Sequence, residues 1–254
     1  MNIATLFKLV PDLVEELEID AGGTSLDMTW LRLIISEFDD HAIEQAILLK
    51  ERSAAQVTVI APGVEGVDEV LFTAAAKGAD RLIKLIGDFE AGVNNHSLAR
   101  AIVTFLKDLQ PDLILTGVQA HNDLDGSLGP LVAGFLGIPY VGYVSGVTLS
   151  NGKVIAQKEY PGGLIARIEV DLPAVLGIQA AEKPPRYVAV SKVRQAMQTA
   201  IIEEHKVGSL DPTGGIPVER MFKPEAGTRA MIIEGDEREI ASRLIEIFKE
   251  VGVL

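Results

Sequence analysis

The stretch from Pro111 to Pro139, PDLILTGVQAHNDLDGSLGPLVAGFLGIP, contains the pattern that decides the fold. Residues 113–117 are apolar or β-favouring and predict a buried strand. A polar, turn-rich loop follows at 121–126, and residues 127–136 then have helical spacing. The sequence therefore predicts a chain that runs from the carboxyl end of a strand, through an acidic loop, into a helix.

The start of this predicted helix has the features of an anion site. The first N–H groups of a helix have no partner within the helix, so they can bind a phosphate or another anion. Gly126 allows the backbone to approach such a ligand closely, and Ser127 adds a hydroxyl group. The same pattern is equally typical of an ordinary capped helix on an α/β sheet, so the residues alone leave both interpretations open.

Strand and helix patterns alternate on the amino-terminal side of this stretch. Predicted strands cover 3–10, 56–61 and 80–86, and predicted helices cover 38–52, 67–77, closed by Gly78, and 95–109, capped by Asn95 or Ser97. Such alternation predicts an α/β fold with a doubly wound, mostly parallel sheet. Ligands in this architecture bind beyond the carboxyl ends of the strands, here 8–12, 61–66, 87–88 and 117–126.

The pattern changes after Tyr140. Four further strands are predicted at 144–149, 154–160, 164–170 and 174–179, and the turns between them predict that they extend the sheet in antiparallel fashion. From Lys183 the chain loses its periodicity, which predicts an arm that packs on a partner subunit. The predicted domain plan is an α/β nucleotide-binding domain at 1–182, an extended arm at 183–236 and a C-terminal helix at 237–254.

Composition excludes several classes of protein. Hydrophobic residues make up 48% and charged residues 23% of the chain, as in a globular protein, and no apolar run approaches the length of a membrane span. The net charge of −13 argues against nucleic-acid binding, which needs clustered Lys and Arg. The absence of cysteine excludes disulfides and fits a cytoplasmic protein. The N-terminus is better interpreted as a first strand than as a signal peptide.

The patterns of common catalytic sites are also missing. The four histidines have no metal-ligand spacing, and there is no nucleophile-elbow, P-loop or dinucleotide-binding motif. The carboxylate pairs at 39–40 and at 123 and 125 are more typical of helix caps and solvated loops than of a metal site. We therefore expect no metal and no stand-alone catalytic site in this chain.

Over nearly its whole length the chain resembles the β subunit of electron transfer flavoproteins. The matching segments are KLVPD at 8–12, Phe38 with AIEQA at 42–46 and LKE at 49–51, AKGAD at 76–80, GVQA at 117–120, GP at 129–130, LPAV at 172–175, PRY at 185–187 and the terminal helix. Each motif alone is weak, but their order and spacing together are specific.

The resemblance implies a universal-stress-like, adenine-nucleotide-binding fold and a heterodimer with an α subunit. In this family FAD is held mainly by the α subunit, and the β subunit binds AMP or, in the bifurcating branch, a second FAD. The complex shuttles electrons between a flavin dehydrogenase, here expected to be of the acyl-CoA type, and a downstream acceptor. Carried onto this chain, the β nucleotide would be lined by Leu6, Ser36, Ala61, Gln119, Asp123, Gly126, Ser127 and Leu128.

The chain departs from the family pattern at this site. Gly126-Ser127-Leu128 replaces the usual Asn-Gln-Thr, Ser36-Glu37 replaces Asn-Pro, and Phe72 replaces a frequent Arg. Because backbone donors can bind one phosphate while a pyrophosphate needs more donors, AMP is favoured over a second FAD. An empty site stays open.

A second departure concerns the partner-docking segment at Ala181, Glu182 and Lys183. Glu182 stands where members that serve acyl-CoA dehydrogenases present an apolar Leu, so either the loop is shifted by one residue or the partner enzyme differs.

Two other functions remain open. One is a universal-stress-type sensor of adenine nucleotides, and the other is a structural subunit of an oxidoreductase that binds no nucleotide.

Overall fold

The strands and helices of the first half follow the alternation in the sequence. The computed structural model describes residues 1–89, 93–150, 152–224, 230 and 232–254. The strands are β1 (Asn2–Leu6), β2 (Leu9–Pro11), β3 (Leu33–Ile35), β4 (Gln56–Pro62), β5 (Arg81–Ile86), β6 (Leu113–Gly117), β7 (Tyr140–Ser150), β8 (Lys153–Tyr160), β9 (Leu164–Val170), β10 (Ala174–Ile178) and β11 (Ile202–Lys206). The helices are α1 (Glu37–Arg52), α2 (Val67–Lys77), α3 (Asn95–Leu109), α4 (Leu128–Leu136), α5 (Val190–Thr199) and α6 (Glu237–Glu250).

Nine strands form one sheet in the order β11-β5-β4-β1-β6-β10-β7-β8-β9, and β2 pairs with β3 in a separate antiparallel ribbon. All pairings from β11 to β7 are parallel, whereas β8 and β9 are antiparallel additions at one edge. The α/β fold with a doubly wound, mostly parallel sheet extended by antiparallel strands is therefore confirmed.

The two faces of the sheet bury separate cores. Side chains of α1 and α2, such as Ile43 and Leu71, pack on one face, and side chains of α3 and α4, such as Ile102 and Val132, pack on the other. The central strands contribute alternately to the two cores because successive side chains point to opposite faces. The parallel strands are consequently buried on both sides, as this architecture requires.

The order of the strands creates a switch point between β1 and β6. After β1 the chain adds β4 and β5 on one side, and it then returns through α3 to place β6 on the other side of β1. The loops that follow β1 and β6 therefore leave on opposite sides, and in this architecture the ligand crevice lies at the carboxyl ends of such strands.

Four expectations differ from the structure. The predicted strand at 3–10 divides into β1 and β2, because the N–H of Lys8 donates to the carboxylate of Asp39 rather than to a neighbouring strand. β10 is parallel and lies between β6 and β7; its five residues are all buried, as in a central parallel strand. The cap of α3 is Asn94, whose Oδ1 accepts the N–H of Ser97.

The fourth difference lies in the predicted arm. Its beginning contains α5 and β11, and β11 pairs in parallel with β5 at the sheet edge. The pattern was hidden because α5 buries only Ala196 and because β11, IEEHK, is almost entirely polar. Residues 225–229 and 231 of the predicted arm lie outside the described residues.

The chain divides into two compact units, Met1–Glu219 and Arg220–Leu254. The second unit contains α6, which begins with a capping box between Asp236 and Glu239. None of the residues of α6 is buried, and Leu244, Ile245 and Phe248 are all more than a third exposed. Within the described part of the chain, no helix has both the length and the apolarity needed to cross a membrane.

Candidate functional site

The crevice between β1 and β6 is bordered by the residues that follow these strands and by the start of α4. β6 ends at Gly117, and its N–H donates to Oδ1 of Asp39 over 2.7 Å. The loop that follows reaches Ser127, the N-cap of α4. The structure thus contains the strand, loop and helix start that the opening stretch predicted.

The turn before α4 has the geometry that only glycine adopts easily. Gly126 has φ +101°, and a Cβ added there would have open space, with only the side chain of Leu131 near 4 Å. A larger residue would therefore be disfavoured by backbone strain rather than by a clash. The glycine therefore allows the left-handed turn that directly precedes Ser127, the N-cap of α4.

The start of α4 is left without an internal anion. Among the described residues, the Ser127 side chain makes no capping hydrogen bond, and the first turn contains no acidic residue. Pro130 has no N–H, so the donors of this turn are the N–H groups of Leu128 and Gly129. This arrangement offers two backbone donors and one hydroxyl to a single phosphate.

Gly129 also fixes how closely the helix start lies to β6. A Cβ at Gly129 would come within 2.6 Å of the Thr116 hydroxyl oxygen and within 3.0 Å of the Tyr140 ring. That hydroxyl is buried without a hydrogen-bond partner in the described part of the chain. The first turn of α4 therefore rests directly on the end of β6.

The carboxylates of the acidic loop are directed at protein groups. Oδ1 of Asp123 accepts from Nζ of Lys8 at 2.6 Å and from Nδ2 of Asn95 at 2.7 Å, and its Oδ2 accepts the N–H of Ala120 at 2.8 Å. The Asp125 carboxylate accepts the N–H groups of Asn95 and His96 at the start of α3. Both negative charges are thus compensated by a lysine or by a helix start, which reduces their repulsion of an anion at α4.

Asp39 joins the two strand ends that form the crevice. It is 6% exposed, and its carboxylate accepts the N–H of Lys8 at 3.0 Å in addition to that of Gly117. Burial raises the pKa of Asp39 to about 7 against the lowering effect of these two hydrogen bonds. The carboxyl group is therefore a structural link that titrates near neutral pH.

The predicted nucleotide residues lie at the ends of β1 and β4, in the loop after β6 and at the starts of α1 and α4, and their side chains differ in exposure. Ser36 is the N-cap of α1 and is buried, and Gln119 is exposed just after β6. The side chains of Leu6, Ala61 and Leu128 belong to the cores, so only their backbone can face a ligand. Phe72, in place of the frequent Arg, packs against the core.

A separate surface cavity of about 490 Å³ lies beyond the carboxyl ends of β4 and β5. Its lining residues are Gly63, Val64, Glu65, Gly66, Val67, Asp68, Lys84 and Ile86. Lys84 is already paired with Asp68 and Glu204, each at 3.0 Å. The lining contains no residue from the loops that follow β1 and β6, and its one lysine is not free for a phosphate.

Two of the three predicted docking residues, Ala181 and Glu182, bond to residues of α1 in the same chain. The N–H of Ala181 donates to Nδ1 of His41 at 3.1 Å. The Glu182 carboxylate pairs with Arg52 at 2.6 Å and accepts from Gln45, and these contacts lower the pKa of Glu182, chiefly through the Arg52 hydrogen bond. Lys183 is exposed.

Sequence reasoning missed Lys8, Asn95 and Asp39 as parts of this site. All three are polar residues at the carboxyl end of a strand or in the first turn of a helix, which is the signal that could have found them. No cluster of His, Asp or Glu with the geometry of a metal site occurs among the described residues.

Comparisons with known proteins agree on one family. A family model described as an electron transfer flavoprotein domain matches residues 30–210. The electron transfer flavoprotein subunit beta of Methylophilus methylotrophus is 32% identical over 262 residues, which cover 98% of each chain. The subunits beta of Syntrophomonas wolfei and Bacillus subtilis are 30% and 28% identical and cover 98% of this chain and 97% and 98% of their own. The chain therefore belongs to the electron transfer flavoprotein β-subunit family.

Proposed function

We propose that this chain is the β subunit of a heterodimeric electron transfer flavoprotein that carries electrons between a flavin dehydrogenase and a downstream acceptor. The observation that carries the proposal is the crevice at the β1–β6 switch point, where the start of α4 offers donors to one phosphate and both loop carboxylates are internally compensated. The family relationship and the 98% coverage of the chain support the same conclusion.

The donor set at α4 fits AMP better than a second FAD. Two N–H groups, the Ser127 hydroxyl and the helix dipole can stabilise one phosphate group. A pyrophosphate would need further donors, but Pro130 removes one N–H and Phe72 offers no positive charge. We therefore place AMP at this turn, with the strand ends around its adenosine, and assign a second FAD only to the alternative, bifurcating form.

The redox cofactor of the complex is FAD, bound mainly by the α subunit with this chain as one wall of its site. When bound, FAD supplies the electron-transfer chemistry, while the protein supplies placement and electrostatics. We assign this chain the role of a carrier subunit without catalytic residues of its own.

The partner that completes this chain is an α subunit. The apolar side of α6, formed by Leu244, Ile245 and Phe248, is 39–46% exposed, and Phe222 and Ile232 in the same unit are 72% and 82% exposed. Apolar side chains exposed at this density are typical of protein interfaces. We propose that residues 220–254 pack on the α subunit, and the cytoplasmic location stays a prediction from the sequence.

Docking of a dehydrogenase is proposed at the segment that begins with Ala181, Glu182 and Lys183. Because Arg52 and Gln45 hold the Glu182 carboxylate, this segment offers no free carboxylate as an anchor. Tyr187 and Val190, which are 88% and 60% exposed, provide apolar groups directly after it. The acyl-CoA class of the dehydrogenase rests on the family resemblance alone.

Reduction of the complex by an acyl-CoA dehydrogenase and its substrate tests this docking proposal. Tyr187→Ser should slow flavin reduction, whereas Tyr160→Ser, which removes an exposed tyrosine from β8, should leave the rate unchanged. Equal rates for both variants and the wild type would contradict docking at this segment. A complex that no acyl-CoA dehydrogenase reduces would contradict the partner class.

Nucleotide analysis of the complex tests the central proposal. The chain is co-expressed with its α subunit, and the purified, undialysed complex is denatured and its nucleotides are quantified by chromatography. One FAD and one AMP per heterodimer support the proposal, and two FAD would move it to the bifurcating form. One FAD without a second nucleotide would contradict the role of the α4 turn.

A further inference from the structure

Three separate segments of the chain meet at the side chain of Lys8. Lys8 lies between β1 and β2, and its Nζ is 2.6 Å from Oδ1 of Asp123 in the acidic loop and 3.2 Å from Oδ1 of Asn95 at the start of α3. The side chains of Lys8 and Asp123 are only 12% and 10% exposed. This ion pair is therefore largely removed from water.

Asn95 extends the contact to the α4 turn. Its Nδ2 donates to Oδ1 of Asp123 and to the backbone oxygen of Gly126, both at 2.7 Å. Gly126 directly precedes Ser127, the N-cap of α4. A continuous series of hydrogen bonds thus runs from Lys8 to the residue that sets the conformation of the turn.

The backbone of Lys8 is also fixed. Its N–H donates to the buried carboxylate of Asp39 at 3.0 Å, and its oxygen accepts the N–H of Ser36 at 3.3 Å. The lysine therefore extends from a rigid strand end, and the acidic loop takes its position from that end.

The positive charge of Lys8 has a second consequence at this position, through its ion pair with Asp123. Asp123 is an almost buried carboxylate a few residues before the proposed phosphate site, and its only ion pair among the described residues is with Lys8. Removing one partner of a buried pair leaves an uncompensated charge that is costly and acts over a distance in a medium of low dielectric constant. An unpaired Asp123 would repel a phosphate at the start of α4.

We propose that Lys8 is a positioning residue of the nucleotide site, which acts through Asp123 and Asn95 and does not itself bind the phosphate. It holds the acidic loop so that Gly126 and Ser127 present the α4 donors, and it neutralises the carboxylate that would otherwise repel the phosphate. The inference rests on the function proposed above and assigns Asp123 a supporting rather than a ligand-binding role.

The experiment measures the binding of AMP and of adenosine to the nucleotide-depleted αβ complex by calorimetry. Lys8→Met should weaken the binding of AMP by about tenfold or more, because it leaves the Asp123 charge unpaired. Adenosine, which has no phosphate to be repelled, should bind as it does to the wild type. Lys8→Met combined with Asp123→Asn should recover most of the AMP affinity, since the asparagine carries no charge and its one oxygen still accepts from either Ala120 or Asn95.

Lys50→Met is the matched control, because it removes a lysine that pairs with Asp80 at 2.6 Å, near the amino end of β5. It should leave both affinities unchanged. If Lys8→Met alone fails to assemble, the double variant carries the test, and an AMP affinity near that of the wild type supports the inference.

Two outcomes would overturn the inference. A double variant that binds AMP as weakly as Lys8→Met would mean that the unpaired charge of Asp123 is not what weakens AMP binding. An equal loss of AMP and adenosine binding in Lys8→Met would mean a role in folding alone. A wild-type complex that binds neither ligand would instead contradict the proposed function itself.

Discussion

The starts of α3 and α4 are neighbours, but side chains of the protein bond the first N–H groups of α3 and not those of α4 among the described residues. At α3, the Asn94 side chain accepts the N–H of Ser97, and the Asp125 carboxylate accepts the N–H groups of Asn95 and His96. At α4, Ser127 makes no capping contact within the described part of the chain, and the first turn has no acidic residue. One helix start is completed by the protein itself, and the other is left for a ligand.

Because of this difference, the start of α3 should matter mainly for the stability of the protein and the start of α4 mainly for nucleotide binding. A completed helix start contributes to folding whether or not a ligand is present, whereas an open one gains its partner only from the ligand. Variants that remove the Asn94 cap of α3 should therefore change the stability of the complex and leave its nucleotide content alone. Variants at α4 should change the nucleotide content first.

The largest effect is expected from Gly126→Val. Valine at φ +101° is strained by more than the roughly 1–2 kcal/mol of an ordinary left-handed residue, and the turn should relax away from the geometry that presents the α4 donors. The purified αβ complex should lose its AMP, as measured by chromatography after denaturation.

Gly137→Val is its control, because Gly137 has φ +69° and open space at the other end of the same helix. It should also lower stability, by about the 1–2 kcal/mol of an ordinary left-handed residue, and it should retain AMP. If both variants keep a full complement of AMP, the α4 turn is not the nucleotide site.

The start of α1 is a third case for the comparison. Its residue Asp39 accepts the N–H groups of Lys8 and Gly117 at two strand ends rather than those of its own helix. Its pKa of about 7 lies above the ordinary value of 3.8, so between these values the folded state holds a proton that the unfolded state has released. The free energy of unfolding should therefore fall as the pH rises from about 4 to about 7, by up to about 1.4 kcal/mol per pH unit.

Asp39→Asn should remove this part of the pH dependence and should lower stability most at the acid end of the window, because one amide oxygen cannot serve both N–H donors equally. The measurement is the urea midpoint of the complex between pH 5 and pH 8. Asp27→Asn is the control: the Thr29 hydroxyl lowers the pKa of Asp27, so this group does not titrate in the window. An unchanged slope in Asp39→Asn would contradict the assignment.

A smaller effect is expected from Asn94→Ala at α3. Loss of the cap should lower the free energy of unfolding by about 1 kcal/mol, as for other helix caps. The contact of Nδ2 with the Pro212 oxygen is lost as well. Urea unfolding should show the change, and the AMP content should stay at the wild-type value. Loss of AMP here would remove the distinction between the two helix starts.

The smallest effect is expected from Ser127→Ala at α4. The hydroxyl contributes one neutral hydrogen bond to the phosphate, so AMP affinity should fall by roughly 0.5–1.5 kcal/mol while stability barely changes. Calorimetry with the nucleotide-depleted complex measures this difference, with Ser191→Ala on the exposed side of α5 as the control. An affinity loss as large as that of Gly126→Val would mean that the side chain, not the backbone, dominates the site.

The sequence predicted those parts of the site that depend on neighbouring residues. β6, the loop and α4 follow one another within 24 residues, Leu113 to Leu136, and their apolar spacing, Gly126 and Ser127 are visible in the printed chain. The fold class followed from the same kind of local alternation. Such features are accessible because hydrophobic period and turn chemistry act over a few residues.

The parts that were missed depend on distant residues. Lys8 and Asp123 are 115 residues apart, and Lys8 and Asp39 are 31 apart, so no local pattern links them. β10 was misplaced for a similar reason, since its parallel neighbours, β6 and β7, are set by the order of the strands and not by its own residues. Asp123 itself was assigned from the family resemblance. A resemblance identifies a residue but does not show which residue pairs with it.

The polar composition of β11 also determines how the sheet ends. A regular edge strand offers its unpaired N–H and C=O groups to any other extended chain and can start aggregation. In β11, Glu203 pairs with Arg81 and Glu204 with Lys84 of β5, which holds the strand in place, while Lys206 and the two glutamates are exposed. A second copy aligned in antiparallel fashion would bring these carboxylates near one another, so the IEEHK sequence keeps this edge from recruiting further strands.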